Sequence, residues 1–200
     1  MQISRTAIAF VGMLLPALSL AQVPPPNGPG NALQFDGVDD YLRATPVNLP
    51  TGNSAYTIEA WIKPDSMHVG CVAAWGNYGV NNQVNAFVLD VDGLVNYWWG
   101  NDLKIRTANL AGAWHHVAAT FDGTTRQILL DGVVLTNDAP VGHNATADNF
   151  RLGLANAGQY FDGLMDEVRI WRVARTPAQI QEAMGRQLWG NEPGLACYWR

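Results

Sequence analysis

Five Asp-Gly pairs, at Asp36, Asp92, Asp122, Asp131 and Asp162, punctuate this 200-residue chain. Asp-Gly tolerates the positive backbone φ angles of a tight hairpin turn, so a pair flanked by apolar residues marks a reversal of direction. Between and around the pairs, residues 32–35, 41–44, 56–63, 71–75, 86–90 and 94–99 read as strands. The series continues at 104–107, 115–121, 126–130, 133–136, 151–154 and 164–172. The clearest hairpins join 88–90 to 94–97 and 127–130 to 133–135. Many short strands with frequent turn signals predict an all-β, two-sheet antiparallel sandwich or jelly roll.

One segment departs from that pattern. Thr176-Pro177-Ala178-Gln179 is a capping box with proline at the first helical position. Ile180, Met184 and Leu188 continue it as a helical stripe, which predicts one short helix against the sandwich edge, with Gly185 and Gly190 as stops. After the turn at 190–194, residues 195–199 read as a strand that completes this module or starts a second, truncated one.

The run 161–171 is Phe-Asp-Gly-Leu-Met-Asp-Glu-Val-Arg-Ile-Trp. Strict alternation predicts Leu164, Asp166, Val168 and Ile170 on one face, with Met165, Glu167, Arg169 and Trp171 on the other. Asp166 is the misfit among aliphatic residues. A buried carboxylate is costly unless it holds a donor, a cation or a metal, or lies at the wet end of its strand.

Arg5, the apolar run 7–15 and Ser19-Leu20-Ala21 have the form of a secretory signal, predicting a leader over 1–21. The run is too short to span a bilayer, so no membrane insertion follows cleavage. Residues 22–31, rich in Pro and Gly, read as a linker ahead of a sandwich domain over 32–189. The expected compartment is extracellular, cell-surface or periplasmic. In such an oxidising compartment Cys71 and Cys197 are expected to pair rather than remain free thiols. Lys and Arg number 12 against 17 Asp and Glu, and the basic residues are scattered, which disfavours nucleic acid as a partner.

Four ordered blocks resemble laminin G-like jelly-roll modules of the concanavalin A-like lectin and glucanase superfamily. They are Ala-Leu-Gln-Phe-Asp-Gly-Val-Asp-Asp-Tyr at 32–41, Tyr-Thr-Ile-Glu-Ala-Trp-Ile-Lys-Pro at 56–64, Trp-His-His-Val-Ala-Ala-Thr-Phe-Asp-Gly at 114–123, and the 161–171 run. The helix at Thr176 also falls where such modules carry theirs. The resemblance spans about 32–188 and implies a concanavalin A-like sandwich. It says less of function, because the fold hosts lectins, adhesion modules, hydrolases and lyases. It further implies one structural calcium ion, held by Asp166 with Asp36, Gly37, Asp39 and Asp40 as oxygen donors. The alternative for Asp166 is a pairing with backbone N–H groups, Arg169 or Arg172.

Two polar loops carry aromatics, 75–83 and 97–102. An exposed aromatic face beside amides stacks on a sugar ring while the amides bond its hydroxyls, which nominates Trp75, Asn77, Tyr78, Trp98 and Asn101. Adjacent Trp98 and Trp99 must face opposite sides of a strand, so one of them leaves the core. The competing reading is that these tryptophans fill the sandwich or an interdomain contact. His115 and His116 likewise face opposite sides and cannot chelate one ion together. Four glutamates, Glu59, Glu167, Glu182 and Glu192, are too dispersed to form the alternating pair of glucanases. The expectation is a non-catalytic module recognising glycans or extracellular protein partners. A structural or adhesion spacer is the first alternative and a polysaccharide-degrading enzyme the second.

Overall fold

The computed structural model describes residues 32–46, 48–156 and 158–200. The predicted leader and linker lie outside the described residues. The strands are β1 (Leu33–Asp36), β2 (Leu42–Arg43), β3 (Tyr56–Pro64), β4 (Gly70–Gly76), β5 (Val84–Asp90) and β6 (Gly93–Tyr97). They continue as β7 (Leu103–Arg106), β8 (His115–Phe121), β9 (Arg126–Leu130), β10 (Val133–Asp138) and β11 (Arg151–Leu152). Strand β12 (Asp162–Trp171), helix α1 (Pro177–Ala183) and β13 (Leu195–Trp199) complete the order. One sheet runs β1-β12-β3-β8-β9-β10, with β13 also paired to β12, and the other runs β2-β11-β4-β5-β6-β7. Every pairing is antiparallel, and both expected hairpins form.

Alternation fills the space between the sheets. Strands β3 and β8 turn Tyr56, Ile58, Ala60, Ile62, Val117, Ala119 and Phe121 inward, against Val72, Trp75, Phe87, Leu89, Leu94 and Trp98 of the other sheet. Burying each large apolar side chain stabilises the fold by about 1.5–3 kcal/mol relative to exposure.

Strand β12 breaks the strict alternation expected of it. Its register with β3 slips between Asp166 and Arg169, and Glu167 takes a positive φ of 52°. This bulge inserts an extra residue and reverses the phase. Met165, Val168 and Ile170 consequently all face the core, whereas Glu167, Arg169 and Trp171 take part in polar contacts outside it. The bulge also divides the far side of β12. Asp162–Met165 pairs with β1 and Val168–Trp171 with β13, so Leu195–Trp199 joins this same sheet. At the start of β12, Gly163 has φ +129°, and a Cβ there would lie 2.3 Å from the Lys63 carbonyl oxygen.

Helix α1 begins at the predicted capping box, with Thr176 and Gln179 exchanging hydrogen bonds. It ends at Ala183, earlier than the Ile180–Met184–Leu188 stripe suggested, and covers the outer face of the larger sheet rather than the sandwich edge. Ile180 packs on Ala118 and Leu129. Trp61 Nε1 donates to the Met184 carbonyl at 2.7 Å, and Arg169 Nη1 to that of Ala183 at 3.1 Å. The side chains of Arg169, Glu59 and Glu167 form a buried ionic network beneath this cover.

Candidate functional site

The outer face of the smaller sheet carries a second, smaller apolar cluster and an open groove. Cross-strand register aligns two rows on it. Arg43, Arg151, Ala74, Ala86 and Tyr97 are successive partners across β2, β11, β4, β5 and β6. Cys71, Val88, Val95 and Lys104 form the other row. Cys71, Ala74 and Ala86 are short enough for Tyr78 and Trp99 to pack over them. Trp99 meets Tyr78 edge-on at 6.0 Å and Tyr97 at 5.7 Å between ring centres. Burial drives the Tyr78 phenol pKa far above its ordinary value.

Beside this covered cluster the face opens. Val88 and Val95 form an apolar floor, lined around by Val69, Asp90, Tyr97, Lys104 and Gln159, and the groove holds about 180 Å³. That is below the roughly 300–1,000 Å³ of drug-sized pockets, and suits a shallow contact along a ligand. A phenol ring, a carboxylate, an ammonium and a carboxamide thus converge over two valines. Such a set stacks on an apolar ring face and bonds polar substituents at its rim. Towards the β7 edge a neighbouring hollow is lined by Asp92, Leu94 and Arg106, where Arg106 Nε lies 2.8 Å from Asp92 Oδ2.

The structure separates most of the residues nominated from the sequence. Trp75 and Trp98 have no exposed surface and belong to the core. Trp75 donates to the Pro50 carbonyl at 2.9 Å and Trp98 to the Tyr56 hydroxyl at 3.1 Å, so neither offers a face to a ligand. The tryptophan that leaves the core is Trp99. Tyr78 does reach the outer face, but as a lid on the apolar cluster. Asn77 is exposed and donates to Gln83 at 3.0 Å, whereas Asn101 supplies a carbonyl to buried Arg126. Tyr97, Lys104, Asp90 and Gln159, which line the groove, are not among the residues nominated from the sequence. The phase of the β5–β6 hairpin carried the signal for Tyr97: Leu89 and Leu94 face each other inward, which turns Val95, Tyr97 and Trp99 outward.

Cys71 and Cys197 do not pair; both are free thiols. Cys71 sits under Tyr78 outside the smaller sheet, whereas Cys197 lies opposite Ile170 in the larger one. Burial raises both thiol pKa values, Cys197 to about 11.

The residues expected to share a calcium ion are also divided. Asp36, Asp39 and Asp40 bring carboxylate oxygens within 4.8 Å of one another. Asp36 additionally accepts from the amides of Val38 and Asp39, which lowers its pKa, and Gly37 donates to the Phe161 carbonyl. The oxygen donors have the hard chemistry that calcium uses. Asp166 stands apart: Asp36 pairs with Asp162, and Asp166 lies four residues along β12, about 13 Å away. It caps the bulge instead, accepting from Glu167 N at 2.7 Å, and burial raises its pKa.

The two antiparallel sheets and the core between them define a jelly-roll sandwich. Residues 36–181 match the laminin G model of the concanavalin A-like lectin/glucanases superfamily, and the chain belongs to that family. Mouse (Mus musculus) pappalysin-1 is 23% identical over 184 residues, a match covering 80% of this chain but 11% of pappalysin-1. Among solved structures, a Bacteroides ovatus protein provisionally described as carbohydrate-binding superposes with a TM-score of 0.66 at 24% identity. That match covers 86% of this chain and 52% of the other. Domain 4 of an extracellular arabinanase from Geobacillus stearothermophilus, solved with arabinotriose, gives 0.62 at 21% identity, covering 80% and 79%. Domains LG4-5 of the mouse laminin α1 chain give 0.55 at 13%, covering 70% and 40%. No helix among the described residues is long and apolar enough to cross a membrane.

Proposed function

We propose that this chain is a secreted, non-catalytic recognition module that binds saccharides in the groove beside Tyr97. The observation that carries the reading is the convergence of Tyr97, Lys104, Asp90 and Gln159 over the Val88–Val95 floor. Tyr97 would stack on a sugar ring, and the three polar groups would bond its hydroxyls. Solved relatives described as carbohydrate-binding, or bound to arabinotriose, support saccharides as the ligand class. Two further observations support a binding role without hydrolysis. Asp90 is the carboxylate in the groove lining, whereas glycoside hydrolysis uses a facing pair. The buried carboxylates Glu59 and Glu167 are committed to Trp171, Arg169 and Tyr198. A calcium ion held by Asp36, Asp39 and Asp40 belongs to the same proposal, ordering their turn and taking no part in the saccharide contact.

A glycan array probed with the full chain tests the reading. The expected result is selective retention that Tyr97→Ala abolishes and Asn77→Ala leaves intact. Retention undiminished by Tyr97→Ala would overturn the groove assignment.

A further inference from the structure

At the opposite end of the same face, Arg43 and Arg151 stand directly across from each other on β2 and β11. Like charges at a cross-strand pair repel and destabilise the sheet. Here the repulsion occurs in a chain whose acidic residues outnumber the basic ones, yet neither arginine forms an ion pair among the described residues. Arg151 is half-buried, its Nη1 donates to the Ala155 carbonyl at 3.4 Å, and its Nε is buried without a hydrogen-bond partner. The guanidinium is therefore held from one side while its other amino group keeps its donors. Arg43 is exposed, with no hydrogen bond from its side chain among the described residues. Tyr41, 48% exposed, places its ring 5.8 Å from the Arg151 guanidinium carbon.

Two unneutralised arginines beside an exposed phenol form a complementary surface for an anion carried on a flat or ring-shaped body. Guanidinium forks match a carboxylate in bidentate geometry, and the Tyr41 ring offers a stacking face. The geometry points to a carboxylate-bearing sugar, a uronate, as the group held by Arg43, Arg151 and Tyr41. The inference rests on the saccharide reading above but not on the Tyr97 groove. Four inter-strand steps separate Arg43 from Tyr97, a span of about 19 Å, so the two ends of the face would contact different units of one chain.

The test uses the full chain in affinity electrophoresis against polygalacturonate, its methyl ester and dextran sulfate. Esterification keeps the sugar ring and removes the charge. The expected result is retention by polygalacturonate at least about tenfold stronger than by the ester, with loss of that advantage in Arg43→Gln and in Arg151→Gln. Arg172→Gln, which removes the same charge from an exposed position after β12, should change nothing. Arg43 is exposed, so its variant reports on binding even where Arg151→Gln disturbs the sheet. Equal retention of polygalacturonate and ester, or an Arg43→Gln variant that behaves as wild type, would overturn the uronate site. The groove reading would still stand if Tyr97→Ala then lost neutral saccharides. Stronger retention on dextran sulfate with the same arginine dependence would also overturn the assignment, by showing a general polyanion contact. No retention by polygalacturonate, with circular dichroism showing a folded chain, would do so as well.

Discussion

Glu59 and Arg169 stand directly opposite each other on β3 and β12, both without exposed surface, with Oε1 and Nη1 3.5 Å apart. Each has other partners. Trp171 donates to Glu59 Oε1 at 2.8 Å, and Arg169 Nη2 reaches Glu167 Oε2 at 2.6 Å. Arg169 also donates to the carbonyls of Ala183 and Arg186. One guanidinium thereby fastens the segment after α1 to the sheet beneath it.

Removing one partner from such a network leaves a buried charge without compensation. Arg169→Met is expected to lower stability by about 3–5 kcal/mol, read as a shift of the urea midpoint. A loss below about 1 kcal/mol would mean that Glu59 and Glu167 are held by other groups.

Acid should loosen the fold through its buried histidines. Burial holds His116 and His143 neutral, depressing each pKa to about 4 from an ordinary 6.5. Between these values the unfolded chain binds protons that the folded chain refuses, so stability falls as pH drops from about 6.5 to about 4. Thermal midpoints measured from pH 7 to pH 4.5 should fall steadily, with a shallower fall in His143→Phe. Flat midpoints across that range would contradict neutral burial.

Asp166 works in the opposite sense. Its folded pKa is raised above 3.8, so the ionised form costs stability at neutral pH, and protonation relieves that cost as pH falls through the raised value. Asp166→Asn should keep or raise the melting temperature at pH 7. A fall would show that the charge at the bulge is needed.

Calcium is expected to raise the melting temperature through Asp36, Asp39 and Asp40, because an ion bound by the folded form alone stabilises it. Asp36→Asn keeps the acceptor that caps its turn and should abolish the rise, and Asp166→Asn should preserve it. An unchanged melting temperature on calcium addition in the wild-type chain would remove calcium from the account.

Core and surface aromatics should separate in substitution. Trp98→Ala empties a site packed by Tyr56, Phe121, His143 and Arg126, and is expected to cost about 3–5 kcal/mol. Tyr97→Ala, at the half-buried groove, should cost far less in a denaturation curve while removing saccharide retention. A comparable cost in stability from both would place Tyr97 in the fold rather than in recognition.

The architecture was legible in the chain because Asp-Gly turns and period-two runs act locally, and a hairpin such as β5–β6 needs little beyond its own residues. The site was less so. Which of Trp98 and Trp99 leaves the core depends on the phase that Leu89 and Leu94 fix across the hairpin. Trp98 takes the inward phase and packs in the core, which leaves Trp99 on the outer face. On β12, one extra residue at Asp166-Glu167 reversed the faces, because alternation assumes an unbroken pleat. The Cys71–Cys197 pairing followed from compartment alone, whereas the two thiols are placed by different sheets. Arg43 and Arg151, 108 positions apart, are adjacent only through the β2–β11 register.

The shared flank of β12 has a mechanical consequence. Leu33, where β1 begins, lies opposite Met165, and Trp199, where β13 ends, lies opposite Val168. The two points are three residues apart on one strand, about 10 Å. Tension applied through them would enter and leave at the bulge. It would peel β1 and β13 away from β12 in opposite directions, and the load path would bypass the smaller sheet.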